Sequence, residues 1–257
     1  MEVLIIATVA LGGAFLSFFS GFGLGTLLLP AFLLLFPPPV AIAATAVVHM
    51  LNNLFKLVLL GRYAQLKILI SFGITSVIGA WFGAQWMTRL AATERSFGYT
   101  LGTREMEVPA ISLVIGGLII AFTLLEAWPR FERLVIPMHW FPVGGAISGF
   151  FGGVSGHQGA LRSAFLMKAG LSKEAFMGNR AAIATLVDLT RIGVYTAMMG
   201  ASWGEVNPWL VFIATMAAFS GAYLGNKFMK KIEIKSIHRI ITVSLLVFGV
   251  AMCLGFI

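Results

Sequence analysis

The chain has 257 residues, of which 59% are hydrophobic and 11% charged, with a mean hydropathy of +0.94 and a net charge of +8. Soluble domains carry about 25% charged residues and about 45–50% apolar ones, so the balance excludes a soluble enzyme and points to lipid as the main solvent. The 22 Phe and 6 Trp exclude a disordered chain, and the single Cys253 permits neither an internal disulfide nor a cysteine-only metal cluster.

A membrane core about 30 Å thick needs roughly 20 apolar residues per helix. The N-terminus has no Lys or Arg before its apolar run, so it reads as a first membrane helix rather than a cleaved signal. In chain order, residues 3 to 36 are too long for one crossing, and the glycines Gly21, Gly23 and Gly25 cut them into a hairpin of two short helices. Pro37 to Pro39 stop that unit. Plain spans follow at 40–60, 66–88 and 109–127. A second overlong stretch, 138 to 170, is cut by Gly152 to Gly159, and the spans 174–200, 206–227 and 237–257 complete the chain. The reading is an all-α polytopic membrane protein with a first membrane repeat at 1–128, a cytoplasmic linker at 129–140 and a second repeat at 141–257.

Loop charge sets the orientation, since cytoplasmic loops retain Lys and Arg. One side carries Arg62, Lys67, Arg130, Arg133, Lys168, Lys173 and the five basic residues between Lys227 and Arg239. The other carries Arg89, Arg95 and Arg104. The basic side is placed in the cytoplasm and both termini outside. The net positive charge follows from this rule; there is no nucleic-acid motif, and the surrounding partner is the lipid bilayer.

The two halves repeat. Gly12 to Ala14 match Gly144 to Ala146, Phe18-Phe19 match Phe150-Phe151, and further on Ala46 pairs with Ala181, Asn53 with Asp188 and Lys56 with Arg191. Each copy is a glycine-broken hairpin plus three transmembrane helices. An odd number of crossings separates corresponding points, so the repeats are expected to be inverted, an arrangement recurrent in secondary transporters with the substrate where broken helices meet. The expected breaks are at Gly21, Gly23, Gly25 and Pro30, and at Gly153, Gly156 and Gly159. The competing reading of these glycines is close helix packing.

Four cations, Lys56, Arg162, Arg180 and Arg191, fall within the apolar segments, and Asp188 is the one carboxylate set against them. Charges in that environment are paired, turned into a watered cavity or able to reach the interface. The surplus suggests that a small anionic substrate supplies the missing negative charge. Arg180, Ala184, Asp188 and Arg191 share one helical face, so a private Asp188–Arg191 pair is an equal alternative to ligand contact. Lys56 and Arg180 could instead snorkel. His49, Asn52, Asn53, His157 and Gln158 supply directional hydrogen bonds. Asp188, His49 and His157 are the candidates for proton coupling, although a histidine bonded to a backbone carbonyl is the commoner outcome. No cofactor or metal is called for, and assembly with further copies of the chain stays open.

Gly153-Val154-Ser155-Gly156 has the GxSG form of rhomboid proteases, but His157, two positions on, is not expected to serve Ser155 as a base. An anion channel on the same scaffold is the second reading and an intramembrane serine hydrolase the third.

The first glycine unit, Gly21 to Pro30, with Ala41 to Lys56 after it, and the second unit, Gly152 to Leu166, with Leu186 to Arg191 after it, resemble the sulfite exporter TauE/SafE family, also called the 4-toluene sulfonate uptake permease family. The likeness covers nearly the whole chain. It implies a duplicated permease or exporter of sulfite, sulfonates such as sulfoacetate, or related organic anions in the bacterial cytoplasmic membrane. The second unit departs from the family pattern: His157 to Arg162 stand in its glycine-rich run, and Ala164 takes the proline position.

Overall fold

The structure, a computed structural model, describes residues 1–18, 23–93, 95–128, 136–167, 169–199, 207–228 and 235–257, without the side chains of 101, 199 and 235–238. Helix α1 (Glu2–Leu16) places Glu2 in its first turn, where the amide dipole favours an acid. α1 ends at Ser17, and α2 (Leu24–Leu33) starts from Gly23 in an extended conformation. Pro37 then caps α3 (Pro38–Leu60), in which Pro38 takes a first-turn position that lacks an amide partner in any case. After a short 3₁₀ turn, α4 (Leu66–Ala91) contains a π-helical turn at Leu69–Gly73.

The connection to the next span is ordered rather than a plain loop. Strands β1 (Ser96–Leu101) and β2 (Arg104–Pro109) pair antiparallel from Ser96↔Pro109 to Leu101↔Arg104, turning at Gly102 with φ +65°. Tyr99 ties the hairpin to the chain end by donating to the Leu254 carbonyl at 2.7 Å. It is the only departure, among the described residues, from an otherwise helical membrane fold.

The remaining helices are α5 (Ala110–Ala127), α6 (Phe141–Ser155), α7 (Gly159–Leu166), α8 (Lys173–Met199), α9 (Pro208–Phe228) and α10 (Lys235–Cys253). Five of the described helices, α3, α4, α5, α8 and α9, are long and apolar enough to cross a membrane. The half-helices α1 and α2 are apolar but shorter, as is the stretch Arg239–Cys253 of α10.

The break-forming residues are fewer than the sequence suggests. Gly21 lies outside the described residues. Gly25 and Pro30 lie inside α2, Gly159 is the first residue of α7, and Gly153 lies inside α6. The discontinuities fall at Gly23 and at Gly156, the latter in the left-handed region at φ +84°. Gly153 has a packing reason instead. With Gly145 and Gly149 it forms a smooth stripe on α6, where an added β carbon would run into the backbone of Phe72, Ser76 and Ala80 on α4. Gly221 of α9 lies just as tightly against Leu11 of α1. Small residues are what let membrane helices approach this closely.

The main contacts keep their form when the halves are exchanged. α1 packs on α9 as α6 packs on α4; α3 and α8 pack on each other, as do α5 and α10; α2 meets α10 as α7 meets α5. The central pair α3 and α8 brings the polar residues of both halves to one place.

Candidate functional site

The two breaks meet. A β carbon on Gly25, in the first turn of α2, would stand 3.6 Å from the Gly156 carbonyl oxygen and 3.6 Å from His49 Cδ2. Around this junction α3 and α8 present a polar face, because His49, Asn52, Asn53 and Lys56 recur at steps of three and four, as do Asp188, Arg191 and Tyr195, with Arg180 two turns before Asp188 on the same face.

Asp188, fully buried, is the hub. His49 Nδ1 lies 2.6 Å from its Oδ2, and Asn53 Nδ2 donates to the same oxygen at 3.3 Å. On the other side Arg191 Nε donates to Oδ1 at 3.0 Å, with Nη2 at 2.8 Å. Asn53 also donates to the His49 carbonyl at 2.9 Å, which fixes its amide. His49 is therefore bonded to a carboxylate from the other half rather than to a neighbouring backbone carbonyl.

Lys56 does not snorkel. It is 5% exposed, donates to Ser17 Oγ at 2.7 Å and lies 5.0 Å from the Phe18 ring centroid. With its amide turned to satisfy its neighbours, Asn52 donates to the Ala218 carbonyl at 3.2 Å and accepts from Lys56 at 3.3 Å. Arg162 lies just past the second break, where Gln158 precedes the first turn of α7, and donates from Nη1 to Gln158 Oε1 at 2.8 Å; its Nε is buried with no partner. Arg180 lies over the Phe176 ring at 5.3 Å and donates no hydrogen bond among the described residues.

Lys56, Arg162 and Arg180 line one small cavity, with His49 and Asn53. Ser17, Gly23 and Leu24 of the first break and Met177 and Ala181 of α8 complete it. Its volume is about 20 Å³, room for roughly one water. No carboxylate lines it among the described residues. The first turn of α2, with no side-chain cap among the described residues, begins at its wall and adds the positive end of a half-helix to three cations.

Asn52, His157, Gln158 and Arg191 are not in the lining. Arg191 instead braces the second break, its guanidinium so close that a β carbon on Gly156 would be 2.8 Å from Nη1. Tyr195, one turn on, donates to the Gly153 carbonyl at 2.5 Å. His157 stacks on Phe122 of α5 with centroids 5.9 Å apart, and its Nδ1 lies 2.9 Å from Ser155 Oγ. This corrects the expectation that Ser155 and His157 could not meet: the left-handed turn at Gly156 folds them together. Both are sealed from solvent, and His157 Nε2 has no partner to orient the ring as a base.

Sequence reasoning missed Ser17, Tyr195 and Glu126. Tyr195 continues the helical face of Asp188 and Arg191, and Ser17 lies within one turn of the first glycine cluster; both spacings were readable. Glu126, 8% exposed, corrects the charge count, because among the described residues four buried cations face two buried carboxylates rather than Asp188 alone. Among the described residues no group of three or more His, Cys, Asp or Glu is placed to hold a metal.

The family model for the sulfite exporter TauE/SafE matches residues 5–252. The chain belongs to that family, and is a multi-pass membrane protein of a transporter family. No curated protein and no solved structure matches it.

Proposed function

We propose that this chain is a secondary transporter, an exporter or permease, for a small sulfur-containing or organic anion such as sulfite, a sulfonate or sulfoacetate. Its site is the cavity between the two breaks. The observation that carries this reading is the described lining: three buried cations, a half-helix N-terminus with no side-chain cap, and no carboxylate among the described residues. A buried charge needs a partner. Arg191 has Asp188; the three lining cations face a space that an oxyanion would neutralise. Lys56 and Arg162 would bind oxygen atoms by charge-assisted hydrogen bonds, with His49 and Asn53 orienting them. Arg191, His157, Gln158 and Asn52 would act from behind, by holding the breaks and the guanidinium of Arg162 in place.

A cavity with room for one water is smaller than any sulfonate, so binding requires the halves to part. This supports alternating access between repeats 1–128 and 141–257, joined by the linker 129–140. The contact pattern preserved on exchange of halves, together with the odd number of crossings between equivalent points, supports an inverted relation. The sidedness of the basic residues supports placement in a bacterial cytoplasmic membrane.

The test is flux in proteoliposomes loaded with sulfite, methanesulfonate or sulfoacetate. Losing a charge-assisted hydrogen bond worth about 1.5–3 kcal/mol lowers anion affinity roughly ten- to hundredfold. Arg162→Ala is expected to lose transport to that extent while purifying as a monodisperse protein, with partial recovery in Arg162→Lys. Transport by Arg162→Ala within twofold of the unmodified protein would remove Arg162 from the site. Currents that persist without any gradient coupling would favour a channel.

A further inference from the structure

We propose that Glu126 is a proton-binding site that couples proton movement to anion movement through Arg180. This rests on the anion-transport reading and extends it to a residue outside the cavity.

Glu126 lies in the last turn of α5, followed by the half-exposed Trp128, yet is itself 92% buried, and its Oε2 has no hydrogen-bond partner among the described residues. The charge that acts on it is Arg180. Among the described residues, no other charged group is so placed on the elements packed against α5. On β2, Arg104, Glu105 and Glu107 are exposed at the opposite end of α5; on α4, Lys67 and Arg89 are exposed at the helix ends; on α10, Arg239 is exposed. On α7, Arg162 is turned to Gln158, and His157 stacks on Phe122 one turn earlier along α5. Arg180 in turn lines the cavity, in company with Lys56 and Arg162. Arg180 thus stands between two negative charges, a fixed one on Glu126 and a mobile one in the cavity.

The consequence is a competition. With Glu126 ionised, its charge offsets that of Arg180 and the cavity attracts an anion less. When a proton adds to the Glu126 carboxylate, the whole field of Arg180 falls on the cavity. Proton and anion therefore strengthen each other's binding, and by linkage the effect is reciprocal. No covalent bond changes; one proton is taken up with the anion and released with it, so the two travel in the same direction. The position of Glu126 near the basic, cytoplasmic end of its span gives the proton an aqueous source on that side.

The experiment compares the unmodified protein, Glu126→Gln and Glu126→Asp in proteoliposomes, using methanesulfonate, whose charge does not change with pH. Two readouts are taken: accumulation driven by a pH gradient, and anion–anion exchange at equal pH. In Glu126→Gln the ratio of the first to the second is expected to fall at least tenfold, and in Glu126→Asp to stay within threefold. In parallel, methanesulfonate binding by the unmodified protein is expected to weaken as pH rises, whereas Glu126→Gln, fixed in its proton-bound form, binds equally across the range. Retained pH-driven accumulation in Glu126→Gln overturns the proposal and leaves the transport reading intact. An unmodified protein that moves none of methanesulfonate, sulfite or sulfoacetate overturns both. If Glu126→Gln fails to fold, the pH dependence of methanesulfonate binding by the unmodified protein decides: binding that weakens as pH rises supports the proposal, and binding independent of pH overturns it.

Discussion

At the scale of single residues, Asp188 makes the chemistry of the junction interpretable. It accepts from His49 and Asn53 of one half and from Arg191 of its own helix, so it binds the halves together while removing Arg191 from the cationic surplus. Taking away one member of such a buried pair strands the other, at a cost of about 3–5 kcal/mol. Asp188→Asn is therefore expected to lower the detergent-solubilised unfolding temperature markedly, and Asp188→Asn with Arg191→Met to recover most of the loss. Equal instability in the double variant would mean that Asp188 acts through His49 alone. The Asp188–Arg191 pair was legible in the sequence because a step of three residues closes it on one helix. Its bond to His49 spans 139 positions and two elements, and no local spacing encodes it. Glu126 escaped notice for a related reason: an acid in the last turn of an apolar run looks like an interfacial residue until the neighbouring helices are seen to cover it.

At the scale of elements, the positions of the helices follow from length and hydrophobicity, and their proximity follows from glycine. The membrane-length helices fall where the apolar runs predict them, because lipid forces every backbone amide to be satisfied within its own helix. Which glycine breaks a helix and which merely lets a neighbour approach was not legible, since both roles call for the same residue. Gly156 does the first, with φ +84° and Arg191 against it; Gly149 does the second, buried against Ser76 of α4. The hairpin β1–β2 was also unread, although a Gly-Thr pair between two six-residue strands is a turn signal of the two-residue kind. In a chain this apolar, a short polar stretch reads first as a loop. The packing role is testable. Gly149→Ala forces α4 and α6 apart and is expected to destabilise the protein by about 1–3 kcal/mol. Gly117→Ala on α5, with nothing within 4 Å of the added carbon, should be neutral or slightly stabilising. Thermal unfolding of the two variants side by side decides it; equal effects would show that the glycine stripe is not what sets the α4–α6 distance.

At the scale of the whole molecule, the exchange-symmetric contacts place two versions of one cation at two breaks. Lys56 stands at the first, on Ser17, and faces the cavity; its counterpart Arg191 stands at the second, against Gly156, and is neutralised because Asp188 replaces the neutral Asn53 of the first half. On the proposed reading, Lys56 is left to an anion from outside while Arg191 has its carboxylate in Asp188. Such a device works by rocking only if the halves oppose each other across the membrane, so that what one side opens the other closes. In a Cys253→Ser background, Lys67→Cys, at the exposed start of α4, and Asn207→Cys, at the exposed start of α9, mark equivalent points of the two halves. An impermeant maleimide added to intact cells is expected to label Asn207→Cys and Thr103→Cys in the β-hairpin turn. It should reach Lys67→Cys only after the membrane is opened, because the basic loops are expected inside. Labelling of Lys67→Cys and Asn207→Cys from the same side would make the halves parallel, and a parallel pair cannot alternate access by exchanging conformations.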